Sequence, residues 1–357
     1  MSRFHEEGQA IILHVVGARP QIIKLAPVVK AFRDAGLDYR ILHTGQHYDP
    51  AMSDVHFRSL RIEEPHYSLG VGSDTHARQT GLMMEGIEGV LEDLRPACVL
   101  VYGDTNSTLA GALSASKLKI PVGHVESGVR SFDRTMPEEI NRIVADHVST
   151  HHFCPTRNAM SLLRREGIEG VLTGDVMYDA ILHVDLDRVP HPFTPPYALV
   201  TIHRAENTDD ESRFLGIWGG LGLVSQEIPV VFPVHPRTQK AYRDLLSRGH
   251  EGITLVDPLD YPTMLAAVRD ASLVITDSGG VQKEAFLLKT PCVTVRDTTE
   301  WPETVDAGAN ILAEARATAV RDAAHAMLGI VVNTTGNPFG NGLASRAIAG
   351  YLRERYA

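Results

Sequence analysis

Ile11-Ile12-Leu13-His14-Val15-Val16 runs directly into Gly17-Ala18-Arg19-Pro20-Gln21-Ile22-Ile23-Lys24, and this junction decides the fold. A short, almost continuously apolar run reads as a strand buried on both faces, and the turn after it leads into a helix that carries Lys24. The same succession of apolar run and helical pattern recurs at 40–43, 98–102, 122–125, 199–202, 230–234, 273–276 and 292–295. Strand then helix, repeated, implies parallel sheets with crossover helices. Between 179 and 197 the pattern gives way to Asp-Leu-Asp-Arg-Val-Pro-His-Pro-Phe-Thr-Pro-Pro, which can neither continue a helix nor sit in a central strand. The expected organisation is therefore α/β with two doubly wound domains, 1–184 and 185–343, and a final amphipathic helix, 344–357, packing back on the first. Ligands of such sheets bind beyond the carboxyl ends of the strands, and two of them facing each other make a cleft.

Composition agrees with that reading. The chain has 357 residues, 43% hydrophobic and 22% charged, which at about 150 residues per domain fits two or more soluble domains. A net charge of -10 argues against work on a nucleic-acid backbone, but leaves room for a small anion in a local basic pocket. Cys98, Cys154 and Cys292 lie far apart without paired spacing, so no disulfide framework or zinc ribbon is expected. Seventeen histidines include His43 and His47, yet no H-E-x-x-H occurs, and no metal is expected. The polar N-terminus lacks a signal-peptide layout and its apolar run is too short to span a membrane, so a cytoplasmic protein without membrane contact is expected.

Several polar clusters follow directly on strand runs. Arg19 and Lys24 stand near a helix N-terminus, where backbone N–H groups favour an anion; two solvated cations beside a tight turn is the plainer alternative. No G-x-G-x-x-G or Walker motif is present, and Gly70-Val-Gly72 has Thr75 in place of a third glycine, which disfavours nicotinamide and P-loop nucleotide binding. Asp104, in Gly103-Asp104-Thr105-Asn106, serves either as an acid or as the cap of the next helix. Glu126, in His124-Val-Glu126-Ser-Gly128-Val-Arg130, emerges from a buried strand and needs a partner, with Arg130 the candidate. Glu138 and Arg142 stand at i and i+4 at a helix start, as an ion pair would. Asp104, Glu126 and Glu138 together form the kind of set that acid/base chemistry uses. In the second half, His203 and His235 each follow a strand. Thr276-Asp277-Ser278-Gly279-Gly280-Val281-Gln282-Lys283-Glu284 reads as a grip on a nucleoside diphosphate, with small residues at the helix start and Glu284 placed for ribose hydroxyls.

Taken together, Gly17-Ala-Arg-Pro-Gln-Ile-Ile-Lys24, Gly103-Asp-Thr, Gly123-His-Val-Glu-Ser-Gly128, Pro137-Glu-Glu-Ile-Asn-Arg142, His203-Arg-Ala-Glu-Asn207, Asp277-Ser-Gly-Gly-Val-Gln-Lys-Glu284 and Arg296-Asp-Thr-Thr-Glu300 resemble the non-hydrolysing UDP-N-acetylglucosamine 2-epimerases. The resemblance implies the two-Rossmann-domain glycosyltransferase-B architecture with substrate in the interdomain cleft. It implies inversion at C2 of a UDP-N-acetylhexosamine, UDP-GlcNAc to UDP-ManNAc, by elimination of UDP to a glycal and re-addition, without a cofactor. Carried over, Asp104, Glu126, Glu138 and His203 match catalytic positions, while Arg19, Lys24, Arg142, Ser278, Gly279, Gly280 and Glu284 match substrate-binding ones. Gln46 and His235 match a site at which a second substrate molecule activates many bacterial members.

The chain departs from the pattern in places. Trp301 stands where an arginine is usual, Ala205 replaces the second arginine of the His-Arg-Arg motif, and no cation occupies the position near Thr80, so weak or absent substrate activation is expected. Trp301, His43-Thr-Gly-Gln-His-Tyr and Val101-Tyr-Gly-Asp-Thr-Asn-Ser-Thr also resemble a sister branch acting on UDP-2,3-diacetamido-2,3-dideoxyglucuronate. A glycosyltransferase of the same architecture would share the diphosphate grip but not the three carboxylates, and a UDP-sugar sensor would not need them. The family further implies a homodimer that supplies surface polysaccharide synthesis.

Overall fold

The side chains of β1 (Ile12–Val16) alternate between two cores. Ile12 and Val16 join Val28, Phe32, Leu100 and Ile348 on one face of the sheet, while Leu13 and Val15 join Leu42, Met83, Val99 and Val101 on the other. Burial on both faces is what makes the run read as continuously apolar, and each such aliphatic side chain stabilises the fold by roughly 1.5–3 kcal/mol. The structure is a computed structural model that describes residues 10–46, 57, 60 and 62–357.

Two compact units emerge, one of Met1–His183 with Pro338–Ala357, the other of Val184–Asn337. In the first, β1 is followed by β2 (Tyr39–His43), β3 (Tyr67–Ser68), β4 (Cys98–Tyr102), β5 (Val122–Val125), β6 (His151–Cys154) and β7 (Val171–Leu172). They form a seven-stranded parallel sheet in the order β3-β2-β1-β4-β5-β6-β7. The second unit repeats the plan with β8 (Ala198–Thr201), β9 (Val230–Pro233), β10 (Ile253–Val256), β11 (Leu273–Thr276), β12 (Cys292–Thr294) and β13 (Asn310–Leu312), in the order β10-β9-β8-β11-β12-β13. Both sheets are doubly wound, with strand direction of travel reversing between β1 and β4 and between β8 and β11. Those are the switch points at which ligands bind.

Five of these strands escape a reading by apolar runs. β3 and β7 are two residues long and sit at the sheet edges, and β10 is an edge strand with one residue exposed and the others partly so. β6 begins with two histidines, which are accommodated because His152 Nε2 lies 2.8 Å from the Asp146 carbonyl oxygen and His151 packs against Tyr351 and Tyr356. β13 carries Asn310, buried and donating to Thr304 Oγ1 at 3.0 Å.

The second unit ends earlier than residue 343. The chain returns to the first unit at Pro338, where Phe339 is fully buried and its carbonyl accepts from Asp175 N at 2.9 Å. The last helix, Ala344–Tyr356, lays Ile348, Ala349 and Leu352 into the core formed by the helix Arg19–Ala35. Asp179 receives its first amides, from Ala344 N at 3.2 Å and Ser345 N at 2.7 Å. Among the described residues, no helix is long and apolar enough to cross a membrane.

Candidate active site

In the first unit the polar groups gather where β1, β4 and β5 end. The turn after β1 is held by Gln21, whose Oε1 accepts from Gly17 N at 2.8 Å and Ala18 N at 3.1 Å. Its Nε2 donates to Tyr102 O at 2.9 Å and Thr108 Oγ1 at 3.0 Å, tying that turn to the end of β4. Gly17 has no room for a Cβ beside Thr44 and Ser107. Arg19 is the first residue of the following helix and is half-buried.

Lys24, one turn further on, is buried and donates to Glu126 Oε1 at 2.8 Å, with both side chains under one-tenth exposed. Glu126 therefore has Lys24 as its cation. Arg130, the expected partner, instead binds Asp146 at 2.6 Å and Glu166 at 2.8 Å, because the left-handed backbone at Glu126, φ 75°, and at Gly128, φ 83°, turns the chain away.

Asp104 follows Gly103, whose φ of 63° suits glycine. The capping role falls to Thr105, which accepts from Thr108 N at 3.4 Å, and Asp104 is left to pair with Arg142. Asn141 reinforces the turn by donating to Asp104 O at 2.9 Å. The expected Glu138–Arg142 pair is replaced by Glu139–Arg142, at i and i+3 and 3.0 Å. Glu139 is buried and accepts from Ser131 N, Ser131 Oγ and Phe132 N at 2.9–3.0 Å, whereas Glu138 lies exposed. Gln46 meets the same edge, its Oε1 accepting from Ser107 N at 3.0 Å and Ser107 Oγ at 2.7 Å.

In the second unit the organising group is Asp277, fully buried at the end of β11. It accepts from His203 N at 3.1 Å, Arg204 N at 2.9 Å and Asn207 Nδ2 at 3.2 Å, locking the turn after β8. His203 Nδ1 lies 3.3 Å from the same carboxylate, and its ring is 5.6 Å from that of His235, which is exposed. Ser278 caps the helix Gly279–Leu287. A Cβ on Gly280 would meet Ser278 Oγ at 3.9 Å, and one on Gly279 would touch Trp301 Nε1 at 3.4 Å and Glu300 Oε2 at 3.5 Å, so polar side chains surround this helix start. Glu284 is buried within the same helix. Trp301, in the position where an arginine was expected, is buried with Lys283 Nζ 3.8 Å above its ring, and Arg296 binds Glu300 at 2.6 Å nearby.

Gln21, Glu139, Asn141 and Asp277 lie inside the quoted motifs without a role of their own there, and Asp146 lies outside all of them. Each is a polar residue on the buried side of its element, which is the one sequence signal that could have marked it.

Comparison with known proteins accords with both halves of this arrangement. The family model for UDP-N-acetylglucosamine 2-epimerase matches residues 30–353. UDP-2,3-diacetamido-2,3-dideoxy-D-glucuronate 2-epimerase of Pseudomonas aeruginosa is 46% identical over 354 residues, covering 96% of this chain and 99% of its own. UDP-N-acetylglucosamine 2-epimerase of Methanocaldococcus jannaschii is 42% identical, covering 95% and 97%. A crystal structure of the M. jannaschii enzyme in complex with UDP-GlcNAc and UDP superposes with a TM-score of 0.92 at 41% identity, covering 96% of this chain and 99% of that one. With the doubly wound units, the strand-end polar clusters and these matches in agreement along nearly its whole length, the chain belongs to the UDP-N-acetylglucosamine 2-epimerase family.

Proposed function

We propose that the protein inverts C2 of UDP-N-acetylglucosamine, giving UDP-N-acetylmannosamine, by elimination and re-addition of UDP. The observation that carries this reading is the pair of carboxylates on adjacent strand ends of the first unit, each set in an ion pair: Glu126 with Lys24 and Asp104 with Arg142. C2 of the sugar is not next to a ketone, so its proton cannot leave by simple enolisation. In elimination a carboxylate takes the C2 proton, the C–H electron pair becomes the C1=C2 double bond, and the C1–O bond breaks with its electrons going to UDP. Returning a proton to the opposite face of C2 and re-adding UDP at C1 completes the inversion. The sum is redox-neutral and needs no hydride carrier.

Taking a proton from one face and returning one to the other requires at least two proton-handling groups. Asp104, Glu126 and Glu138 are proposed for that work, with His203 as the catalytic group of the second unit. Arg19, Lys24 and Arg142 supply positive charge against the departing diphosphate. Ser278, Gly279 and Gly280 offer the helix N-terminal amides to UDP, and Glu284 accepts from its ribose.

A second sugar is favoured by two observations: the 46% identity with the diacetamidoglucuronate 2-epimerase and Trp301 in place of arginine. Incubation with each UDP-sugar in deuterated water, followed at C2 by NMR, tests both. Deuterium with inversion identifies the reaction and its sugar together, whereas transfer to an added acceptor without exchange would make the protein a glycosyltransferase. A homodimer in the cytoplasm, supplying activated sugar for surface glycan synthesis, belongs to the same proposal, and sedimentation velocity tests the dimer.

A further inference from the structure

Between the two paired carboxylates stands a histidine for which the proposed chemistry has no use. His124 lies on β5, two residues before Glu126, and is fully buried. Its Nδ1 is 2.6 Å from Asp146 Oδ1 and its Nε2 is 2.7 Å from the carbonyl oxygen of Gly103. A carbonyl oxygen has no proton to give. Asp146 has none either: it also accepts from Ser127 Oγ, from Gly128 N at 3.1 Å and from Arg130 at 2.6 Å. Burial by itself would raise the Asp146 pKa, but His124 and Arg130 outweigh it and hold the carboxyl below the usual range. Both ring nitrogens therefore face acceptors, and His124 is held from both sides of its ring.

What this ring joins gives it a purpose. Gly103 immediately precedes Asp104, and Glu126 holds a left-handed backbone that a residue with a side chain keeps only where its surroundings enforce it. Asp146 lies on the helix Pro137–Val148, one turn beyond Arg142, the partner of Asp104. One chain of hydrogen bonds, from Gly103 O through His124 to Asp146, thus ties together the three elements that present Asp104, Glu126 and Arg142. The other charged or titratable groups facing it are Arg130 with Glu166, and His152 on β6, the register partner of His124, whose pKa burial lowers.

We propose that His124, as a ring held at both nitrogens by Asp146 and the Gly103 carbonyl, is a positioning residue for the C2 chemistry: it sets the Gly103 turn and so the aim of Asp104 relative to Glu126. The inference rests on the epimerase reading above.

Two measurements test it. In the unmodified protein with ¹⁵N-labelled histidine, both ring nitrogens of His124 should show the shifts of hydrogen-bonded nitrogens, and a ring nitrogen without a hydrogen bond would overturn the proposal whether or not any variant folds. His124→Asn and Asp146→Asn should bind UDP by calorimetry with unchanged affinity and stoichiometry and keep KM, while kcat for C2 deuterium exchange falls about 100-fold, as a misplacement of roughly 1 Å can produce. Asp146→Glu, which retains the carboxylate, should recover part of the loss. Unchanged kcat in His124→Asn would overturn the positioning role, as would a fall matched by an equal fall in UDP stoichiometry, which marks a purely structural defect. Absence of C2 exchange by the unmodified protein with either sugar would instead remove the epimerase reading, and the positioning role with it, while leaving the hydrogen bonds of His124 as measured.

Discussion

Acidification should destabilise the first unit through His14. This residue lies on β1 with its ring centroid 4.8 Å from that of Phe32 and 5.6 Å from that of Tyr39, and its Nδ1 shares a 2.6 Å hydrogen bond with the Tyr102 hydroxyl. Its Nε2 has no hydrogen-bond partner among the described residues. Burial, helped by the charge of His66, pushes its pKa down to about 3. In the unfolded chain the ring titrates near its ordinary value of about 6.5. Between those values the unfolded state binds a proton that the folded state refuses, so the stability present above about pH 6.5 declines as the pH falls toward 3. At about 1.4 kcal/mol per pH unit, the loss by about pH 4.5 is ~2.7 kcal/mol. The double variant His14→Leu with Tyr102→Phe removes both polar partners at once, which should leave stability near neutral pH little changed and make it less acid-sensitive by that amount. Urea unfolding followed by far-ultraviolet circular dichroism measures it; tryptophan fluorescence would not, because Trp218 and Trp301 both belong to the second unit. If the double variant loses as much stability as the parent between about pH 7 and 4.5, the protonation of His14 is not the cause.

Other outcomes follow from the same geometry. Lys24→Met removes the cation that donates to the buried Glu126 carboxylate and should cost about 1.5–3 kcal/mol in denaturant melts, with Glu126→Gln added in the same chain restoring part of it; additive losses would mean the two do not interact. Asp104→Asn should still bind UDP in calorimetry yet lose deuterium incorporation at C2, and unchanged turnover would take Asp104 out of the mechanism. Gly128→Ala forces a Cβ against the Ala159 carbonyl at a φ of 83°, and thermal melts should register roughly 2 kcal/mol or more of lost stability. Initial rates should be hyperbolic in UDP-N-acetylglucosamine, since Thr80 supplies no cation for a second substrate molecule; a clearly sigmoidal curve would refute this.

Much of the architecture was legible because local periodicity is a property of the chain itself. β1, β4, β5, β8 and β11 are buried on both faces and show it as largely apolar runs, so two doubly wound sheets could be read from them. β6 was hidden by histidines whose partners lie on other elements, and β10 by its position at an edge. At the candidate site, the strand-end clusters could be found by position, but their pairings could not. Arg130 was expected for Glu126 on closeness in sequence, and Glu138 for Arg142 on helical spacing. The structure chose Lys24 and Glu139, because two left-handed residues redirect the loop after β5 and the amides of Ser131 and Phe132 capture Glu139.

The sequence by itself determined eight of the thirteen strands, that helices cross between them, and that carboxylates, cations and a glycine-containing helix start stand at strand ends. Those are consequences of side-chain pattern within a dozen residues. Only the tertiary structure decided which charges meet. Lys24 reaches Glu126 across 102 residues and Arg142 reaches Asp104 across 38, separations that no local spacing encodes. A buried charge is stable only beside its counter-charge, and which counter-charge lies within hydrogen-bonding reach is set by the order of strands in the sheet, not by their order in the chain.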